Sequence, residues 1–420
     1  MVANRMRRSQ IGWVAAVYAL NRRSNGSRSA ILAMALAVGC LSPGALALQF
    51  AGGTGEPNDP YQIAAAEQLV SIGSDANLLS KHYVLVADID LAPNRPGGNV
   101  FTKAVIGDSL EFPFSGQFDG NSLTIRGLRI KGGSYMGLFG RLTAGAEVRD
   151  LAVEGLRLSG SSYVGGLVGL NLGRVVNCHS TGIVIGTGEG FISGLIGYNG
   201  GAVINCYSAG EVTGTYHVGG LAGENSGSLT NCYSSGTGMV AGDDEVGGLV
   251  GANCGTVACC YSVRTVHGKK TRVGGLVGAN GYSTRYGGYP GLIANSYSTG
   301  AVISRGDAGG LAGINLGSTI VNSYCSGVVA AAALDYLYRG GGFVGTNSGI
   351  VAHCFWDRDR SDCGYSGDGT GLSTPQMKEQ SSFVGWDFAG ESINGTEDIW
   401  TICEGEDYPR LWWEGVNCNN

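Results

Sequence analysis

The sequence predicts an all-β protein, a parallel β-helix built from three-strand coils with a cap at each end. The first observation is a glycine-rich heptad, GGLVGAN at Gly247–Asn253, that recurs along the chain. Six further copies stand at Gly165–Asn171, Ser193–Asn199, Gly219–Asn225, Gly274–Asn280, Gly309–Asn315 and Gly341–Asn347. Successive copies begin 28, 26, 28, 27, 35 and 32 residues apart, and a period in this range is typical of solenoids. The second observation is composition, since glycine makes up 75 of the 420 residues without the Gly-X-Y period of collagen.

The content of one unit favours strands over helices. The unit that begins at Gly219 contains three short apolar segments: GGLAG, LTNCYS and a Val-bearing segment before the next Gly-Gly. Three strands of about five residues and three turns of about four account for a period of about 27 residues. Glycine and β-branched residues at these positions would destabilise a helix interior. We therefore expect identical coils to stack, with each strand about 4.8 Å from its equivalent in the next coil.

Stacking of the second strand would align like residues in rows along the axis. An apolar row consists of Val175, Val203, Leu229, Val257, Ile293, Ile320 and Val351. Three residues later comes a row of Cys178, Cys206, Cys232, Cys260, Ser296, Ser323 and Cys354. It is preceded by Asn177, Asn205, Asn231, Asn295 and Asn322 and followed by Tyr207, Tyr233, Tyr261, Tyr297 and Tyr324. We expect a bend or bulge at the Asn, with the side-chain amides hydrogen-bonded along the axis.

Residues 1–47 resemble a signal peptide. The segment contains six arginines and no acidic residue, followed by the apolar run Ala30–Leu41 and the small-x-small sequence Ala45-Leu46-Ala47. The run is shorter than the ~20 residues that a membrane span needs. Either cleavage after Ala47 or lipid attachment at Cys40 fits the pattern, and both place the protein outside the cytoplasm, secreted or at the cell surface.

Charge limits the partners of the mature chain. Removal of the six leader arginines leaves 21 basic residues against 33 acidic ones, a net charge of −12. Nucleic acids and anionic membranes require basic patches, so we expect neither as a partner. No second apolar stretch is long enough to span a membrane.

The flanks of the array differ from its repeats. Residues 48–100 are expected to form an N-terminal cap with the opening strands, including a helix at Ala64–Ile72 with apolar residues at helical spacing. The repeat-bearing β-helix is assigned to residues 101–356. Residues 357–420 are more charged, hold a candidate helix at Thr374–Gln380, and are expected to form a C-terminal cap that covers the open end of the array.

Two insertions account for the long spacings and supply the candidate binding residues. The first is Gly281–Leu292 (GYSTRYGGYPGL) and the second lies near Ala330–Arg339. By position in the unit they should emerge at different corners of the coil. Exposed aromatic side chains in such loops suit sugar rings or a protein partner, although tolerated loop length explains them equally. The candidate residues are Tyr282, Arg285, Tyr286, Tyr289, Tyr336 and Tyr338.

Cysteines leave two interpretations open. Eleven remain after export, an odd number, and those in the row could form a buried stack of thiols. Cys354 with Cys363 and Cys403 with Cys418 could instead form disulfides in an oxidising compartment. There is no CxxC pair and the histidines lack ligand spacing, so no metal site or cofactor is expected.

No catalytic residue is assigned from the sequence. A glycan-cleaving enzyme needs clustered carboxylates, whereas Glu189, Glu211 and Glu224 fall singly along the chain. The run Asp243-Asp244-Glu245 is expected to be a solvated turn. The Gly-Gly heptads lack the Lys-Ser/Thr of a phosphate-binding loop.

The repeated GGLVGxN followed by NCYSxG resembles the GLUG-motif repeats of exported bacterial proteins. The resemblance covers residues 136–356 directly, and GGTGEPNDPYQI before the array and DYPRLWW after it are also similar to that family. It implies a secreted or surface protein on a right-handed β-helical scaffold, without an established general activity.

These observations together predict a structural or adhesive protein that binds an extracellular glycan or a surface protein through its side loops. The alternative is a β-helical carbohydrate-active enzyme, a polysaccharide lyase or glycoside hydrolase, with a dispersed site. An adhesin-like role is favoured over enzymatic activity because no acidic cluster is visible in the sequence.

Overall fold

The computed structural model describes residues 50–108, 110–284, 287–331, 340–391 and 395–418. Within these ranges the chain forms a parallel β-solenoid, as predicted, in which each short strand pairs with its equivalent one coil away. The two insertions, of which residues 285–286 and 332–339 lie outside the described ranges, follow different strands of the coil. The first follows the strand Val277–Asn280, and the second follows the strand Val329–Ala331.

Three sheets run along the axis. Sheet 1 contains, among the described residues, Ser134–Met136, Ser162–Gly165, Ile192–Ser193, Tyr216–Gly219, Asp244–Gly247, Val273–Gly274, Ala308–Gly309 and Gly340–Gly341. Sheet 2 contains Phe139–Leu142, Val168–Asn171, Ile196–Asn199, Ala222–Asn225, Val250–Asn253, Val277–Asn280, Ala312–Asn315 and Val344–Asn347.

Sheet 3 is the largest and reaches back to the first strand of the described chain. Its opening strands are Tyr61–Ile63, His82–Leu85, Ile89–Asp90, Val100–Phe101, Gln117–Arg126, Arg129–Lys131 and Glu147–Gly160. In the repeats it contains Arg174–Val176, His179–Gly186, Ala202–Ile204, Tyr207–Thr213, Ser228–Thr230, Tyr233–Ser234, Val240–Gly242, Thr256–Ala258, Tyr261–Ser262, Val266–Gly268, Leu292–Ala294, Tyr297–Ser298, Val302–Ser304, Thr319–Val321, Tyr324–Cys325, Val329–Ala331, Ile350–Ala352, Phe355–Asp357 and Thr370–Leu372.

The glycine heptad forms a corner of the coil, where a strand of sheet 1 gives way to a strand of sheet 2. In the copy Gly247–Asn253, a sheet 1 strand ends at Gly247 and the sheet 2 strand begins at Val250. A Cβ atom on Gly247 would lie 1.9 Å from the carbonyl oxygen of Val250, so no side chain fits there. Leu249, at the corner itself, is fully buried and fills the interior at the point where the chain turns.

The expected bend at the Asn of the second segment is confirmed. Asn177, Asn205 and Asn231 have φ between 53° and 54°, in the left-handed region that Asn tolerates better than most residues. The bend divides the predicted second strand into two, as in Ser228–Thr230 and Tyr233–Ser234 on either side of Asn231. It also sends the following cysteine inward.

The interior of the coil is a continuous apolar core. Valine, leucine and isoleucine from all three sheets are buried, and the cysteine row is buried among them. The thiols of Cys178, Cys206, Cys232 and Cys260 are free and buried. The prediction of a stack of buried thiols is therefore confirmed for this row. Each cysteine occupies little space beside the corner leucines, which suits the narrow interior.

The ends of the described chain contain the helical elements. The α-helix Ala66–Ile72 buries Ala66, Leu69 and Ile72 in the core and agrees with the predicted helix to within two residues. Its neighbour is the 3-10 turn Ala76–Leu78. The predicted helix at Thr374–Gln380 is wrong, since that segment forms the 3-10 turns Gln376–Lys378 and Gln380–Ser382. A helix cannot extend there because Glu379, between the two turns, is in the extended conformation.

The C-terminal segment packs along the side of the coils. Its 3-10 turn Trp412–Glu414 follows the two-stranded pair Trp400–Thr401 and Arg410–Leu411. Trp413 stacks against Tyr261 at 5.7 Å between ring centroids and lies 6.1 Å from Tyr233. The segment therefore covers the outer face of several coils.

One of the two predicted disulfides is correct. Cys403 and Cys418 are bonded, whereas Cys354 and Cys363 are free. The thiol of Cys354 turns into the coil towards the carbonyl oxygens of Ile320 and Ala352, and that of Cys363 turns towards Val329. Because the two thiols point to different backbone groups, no bridge forms between them.

Candidate functional site

A row of outward side chains on sheet 1 forms one wall of the candidate site. From Tyr163 onward each member stands two residues before a heptad, and the strand register places consecutive members, Tyr135 included, one coil apart. We call this row the wall row, and it consists of Tyr135, Tyr163, Phe191, His217, Glu245 and Arg272. All of them except Phe191 have positive φ, which turns these side chains out of the coil next to a buried apolar residue.

Sheet 2 contributes a second outward row beside the first. Along the axis it reads Arg141, Leu170, Tyr198, Glu224, Ala252 and Ala279 in register. After Glu224 the row continues with Ala252 and Ala279, whose side chains are smaller. The space that they leave is a groove of about 670 Å³. The groove is lined by Phe191, Tyr198, His217, Glu224, Ser226, Ala252, Cys254 and Tyr289.

Aromatic stacking along the wall row ends at the groove. The rings of Tyr135 and Tyr163 stack at 4.7 Å with an interplanar angle of 19°. Phe191 is tilted by 58° to Tyr163, by 64° to His217 and by 65° to Tyr198. Since the rings are no longer parallel, ring faces as well as edges border the groove. A planar or cyclic ligand can stack on such faces.

Tyr289 of the first insertion also lines the groove. It ends the hairpin formed by Tyr282–Thr284 and Gly287–Tyr289 in the first insertion. Its side chain lines the groove and is 63% exposed. The ring faces are therefore accessible from solvent, as a binding residue requires.

A polar cluster lies at the base of the groove. His217 Nδ1 is 3.1 Å from Glu245 Oε2 and 3.7 Å from Glu224 Oε2. Arg272 forms an ion pair with Glu245, and the Ser226 hydroxyl donates to Glu224 Oε1 at 3.2 Å. The expectation that Glu245 belongs to a solvated turn is wrong, because its side chain is only 5% exposed and partnered by residues one coil away on either side.

Burial changes the acidity of two groups in the groove. Desolvation raises the pKa of Glu224, and the nearby His217 offsets part of that effect. Desolvation also raises the pKa of the Cys254 thiol to about 12, with Glu224 and Glu245 adding to the shift. Cys254 is therefore a neutral thiol at physiological pH and a poor nucleophile.

The cluster does not present two carboxylates to a ligand. Glu224 and Glu245 both lie near the same nitrogen of His217, at 3.7 Å and 3.1 Å, so the two carboxylates are neighbours, as the paired acids of a glycosidase must be. Only Glu224 lines the groove, however, and the Oε2 atom of Glu245 is shielded from solvent. The arrangement suits binding better than acid–base cleavage, which requires both groups at the scissile bond.

Only one of the six predicted binding residues has a described side chain, and it is in the groove. Tyr289 lines it, whereas Arg285, Tyr286, Tyr336 and Tyr338 lie outside the described residues. The backbone of Tyr282 belongs to the same hairpin, and its side chain is also outside the described part of the chain.

Sequence reasoning missed Phe191, Tyr198, His217 and Glu224. A signal for the wall row was present, because counting two residues back from each heptad gives Tyr163, Phe191, His217, Glu245 and Arg272 in order. The row from sheet 2 has a similar signal at the sixth position of each heptad. What the spacing could not indicate is that the two rows lie side by side.

A second aromatic row has a structural role. Tyr207, Tyr233, Tyr261, Tyr297 and Tyr324 stack in parallel, with centroids 4.7–5.0 Å apart and angles of 8–11°. Their ring faces therefore cover one another. The hydroxyl of Tyr297 donates to Glu414, and that of Tyr324 donates to the carbonyl oxygen of Pro409. This row anchors the C-terminal segment and leaves the ring faces unavailable to a ligand.

The described residues contain neither a metal-binding cluster nor a membrane-spanning helix. In the described ranges no group of three or more His, Cys, Asp and Glu side chains is arranged to hold a metal ion. Among the same residues, no helix has both the length and the apolar character needed to cross a bilayer.

Comparison with known proteins identifies the repeat. A sequence model of the GLUG motif matches residues 160–185 and 214–237. A "Putative Gly-rich membrane protein" of Evansella cellulosilytica is 35% identical over 128 residues, which cover 28% of this chain and 13% of that protein. The chain thus spans only a small part of that relative's length.

A solved structure is also similar. The crystal structure of a "putative immunoglobulin A1 protease" from Bacteroides ovatus aligns over 87% of this chain and 96% of that one. The sequence identity is 19% and the TM-score is 0.45.

Proposed function

We propose that this GLUG-repeat protein is an exported, adhesive scaffold that binds a glycan in the groove beside its first insertion. The observation that carries the proposal is the break in aromatic stacking at Phe191, in a groove that the exposed ring of Tyr289 also lines. Aromatic rings in one groove fit the apolar face of a pyranose, and the hydroxyl of Ser226 and the carboxylate of Glu224 in the same lining can bond its hydroxyls.

The rest of the solenoid acts as the support for that groove. Parallel stacking fixes each outward row at a spacing of about one strand separation, so the strands of sheets 1 and 2 hold Tyr198, His217 and Glu224 in place, and Tyr289 comes from the hairpin of the first insertion. Preorganised sites lose less entropy when a ligand binds. The arginine-rich leader with a small-x-small sequence supports export, where extracellular glycans are found.

Carbohydrate cleavage is the second candidate function. The observation in its favour is the raised pKa of Glu224, which suits a general acid. It requires another group from this chain to reach the sugar, since Glu245 is shielded. Appearance of shorter products from a bound oligosaccharide, lost in Glu224→Gln, would support cleavage; an intact oligosaccharide after prolonged incubation would exclude it for that substrate.

The test of binding uses the full chain on a glycan array, followed by titration of the best ligand. Replacement of Tyr289 by Ala should weaken binding about five- to tenfold, because one stacking face is lost. Trp412→Ala is the matched control, since Trp412 is 54% exposed and belongs to the C-terminal segment. A folded protein that binds no glycan, or equal affinity in Tyr289→Ala, would contradict the proposal.

A further inference from the structure

The charge of the groove points to the kind of sugar that it accepts. Glu224 is the acidic residue among the groove-lining residues, and His217 is the basic one. The guanidinium of Arg272 is engaged by Glu245, which lies behind His217. No lysine or arginine is among the described residues that line the groove, so an anionic sugar would meet a carboxylate without a compensating cation.

The carboxylate of Glu224 retains the capacity to accept hydrogen bonds. Its Oε1 atom accepts from Ser226 at 3.2 Å. Its Oε2 atom is 3.7 Å from His217 Nδ1, beyond the length of a hydrogen bond. The side chain is 18% exposed and lines the groove, so a ligand that provides a charged donor can reach it.

Three aromatic rings line the same groove as this carboxylate. Phe191 and Tyr198 lie in contact, with ring centroids 5.7 Å apart, and Tyr289 is the third. Rings attract a cation through their negative faces, and the attraction increases when the cation is removed from water. A carboxylate among aromatic rings is therefore the chemistry that recognises an ammonium group.

We infer that the groove selects a sugar with a free, protonated amino group over its acetylated and anionic counterparts. The inference rests on the proposed function, because it names the class of glycan that the groove holds. The ammonium pairs with Glu224, and its neighbouring carbons contact the rings of Phe191 and Tyr289. Acetylation removes the positive charge, and a uronic acid replaces it with a negative one.

The test compares three oligosaccharides of equal length by calorimetric titration with the full chain: one of glucosamine, one of N-acetylglucosamine and one of a uronic acid. The titrations are carried out at about pH 6.5, below the usual range in which amino groups lose their proton. The glucosamine oligomer should bind at least about tenfold more tightly than the acetylated one. Glu224→Gln should remove that preference.

Control measurements separate the possible outcomes. Glu379→Gln changes an exposed glutamate of the C-terminal segment and should leave the preference intact. Equal affinity for the free and acetylated oligomers would overturn the amine inference and leave glycan binding standing. Absence of binding to all three by folded protein, together with an array that shows none, would overturn the proposed function. Choline serves as a source of ammonium without a sugar, and binding of choline in place of glucosamine would overturn the sugar assignment.

Discussion

The asparagine that ends each heptad belongs to a row of buried side-chain amides, which was not predicted from the sequence. Its side chains donate Nδ2–H···Oδ1 hydrogen bonds from each coil to the next, all at 2.8 Å, and the final member donates to Asp368 at 3.0 Å. The row consists of Asn171, Asn199, Asn225, Asn253, Asn280, Asn315 and Asn347. The outer row of Asn177, Asn205 and Asn231 was predicted and has similar bonds of 3.1–3.2 Å between its members.

Replacement of Asn225 by Ala should lower the free energy of unfolding by about 2–4 kcal/mol. The change removes the two 2.8 Å hydrogen bonds that join Asn225 to Asn199 and to Asn253, and removal of a buried hydrogen-bond partner costs ~1–3 kcal/mol. Denaturant titration followed by circular dichroism measures the loss. Asn205→Gly is the matched control, since it keeps the positive φ and removes an exposed amide at a cost below about 1 kcal/mol. If both variants lost the same free energy of unfolding, burial of the amide would not be the reason for the loss.

Glu224→Gln should stabilise the protein at neutral pH. Burial raises the pKa of Glu224 above its ordinary value of 4.5, so the native state binds a proton more readily than the unfolded state. The stabilisation due to that proton is present below about pH 4.5 and is lost as the pH rises through the raised pKa. The variant should therefore melt at a higher temperature than the wild type at pH 7, and the two melting temperatures should converge near pH 4. A lower melting temperature for the variant at pH 7 would refute this account.

Elements of similar sequence have different roles according to what covers them. The parallel tyrosine row on sheet 3 is covered by the C-terminal segment, whose buried members include Trp386, Trp400 and Leu411. The wall row on sheet 1 remains accessible at the groove. The C-terminal segment therefore decides which aromatic row is part of the core.

The disulfide between Cys403 and Cys418 should stabilise that segment. It closes a loop of 15 residues, for which loop-closure entropy gives about 3 kcal/mol, and the loop contains Trp413, whose Nε1–H donates to the carbonyl oxygen of Cys259 at 3.1 Å. The double variant Cys403→Ser, Cys418→Ser should release the segment at lower denaturant concentration, as measured by tryptophan fluorescence.

The single variant Cys363→Ser is the control, because Cys363 is a free, half-buried thiol. It should leave the fluorescence transition close to that of the wild type. An unchanged transition in the double variant would show that packing alone holds the segment.

At the scale of the whole molecule, stability comes from contacts between neighbouring coils. The register pairs Gly165 with Ser193 and Val164 with Ile192, so one unit can replace the next with the same backbone geometry. In such arrays each repeat interacts chiefly with its neighbours. The length of the array is therefore less constrained than the register within it.

Deletion of residues 165–192 should yield a folded, shorter solenoid. The deletion joins Val164 to Ser193 and removes one complete unit, so every remaining strand keeps an equivalent partner. Circular dichroism should retain its β-sheet spectrum, and denaturant unfolding should remain cooperative. Deletion of residues 165–178 removes half of that unit and should abolish the cooperative transition, because the inward and outward positions no longer match. If the protein that lacks the full unit did not fold, the inference that one unit can replace the next would be wrong.

The sequence by itself determined the period, the parallel stacking and the places where insertions emerge. These follow from local rules: heptads at a regular interval require equivalent strands to pair, and Asn at a fixed position produces the left-handed bend that turns Cys178 and its equivalents inward. Buried rows repeat with that period, so the core could be assigned without a structure. The helix at Ala66–Ile72 was visible for the same reason, since its apolar spacing is local.

The tertiary structure alone decided where the corners of each coil lie and which rows meet across them. In the coil of His217, the turn at Gly220-Leu221 places sheets 1 and 2 side by side and brings Glu224 to His217. A repeat period specifies what stacks along the axis, as His217 does on Glu245, but the contacts around a coil depend on how the chain bends between strands. The groove and the position of the C-terminal segment depend on those bends, which is why the sequence could predict Tyr289 as exposed and could not predict the residues that line the groove with it.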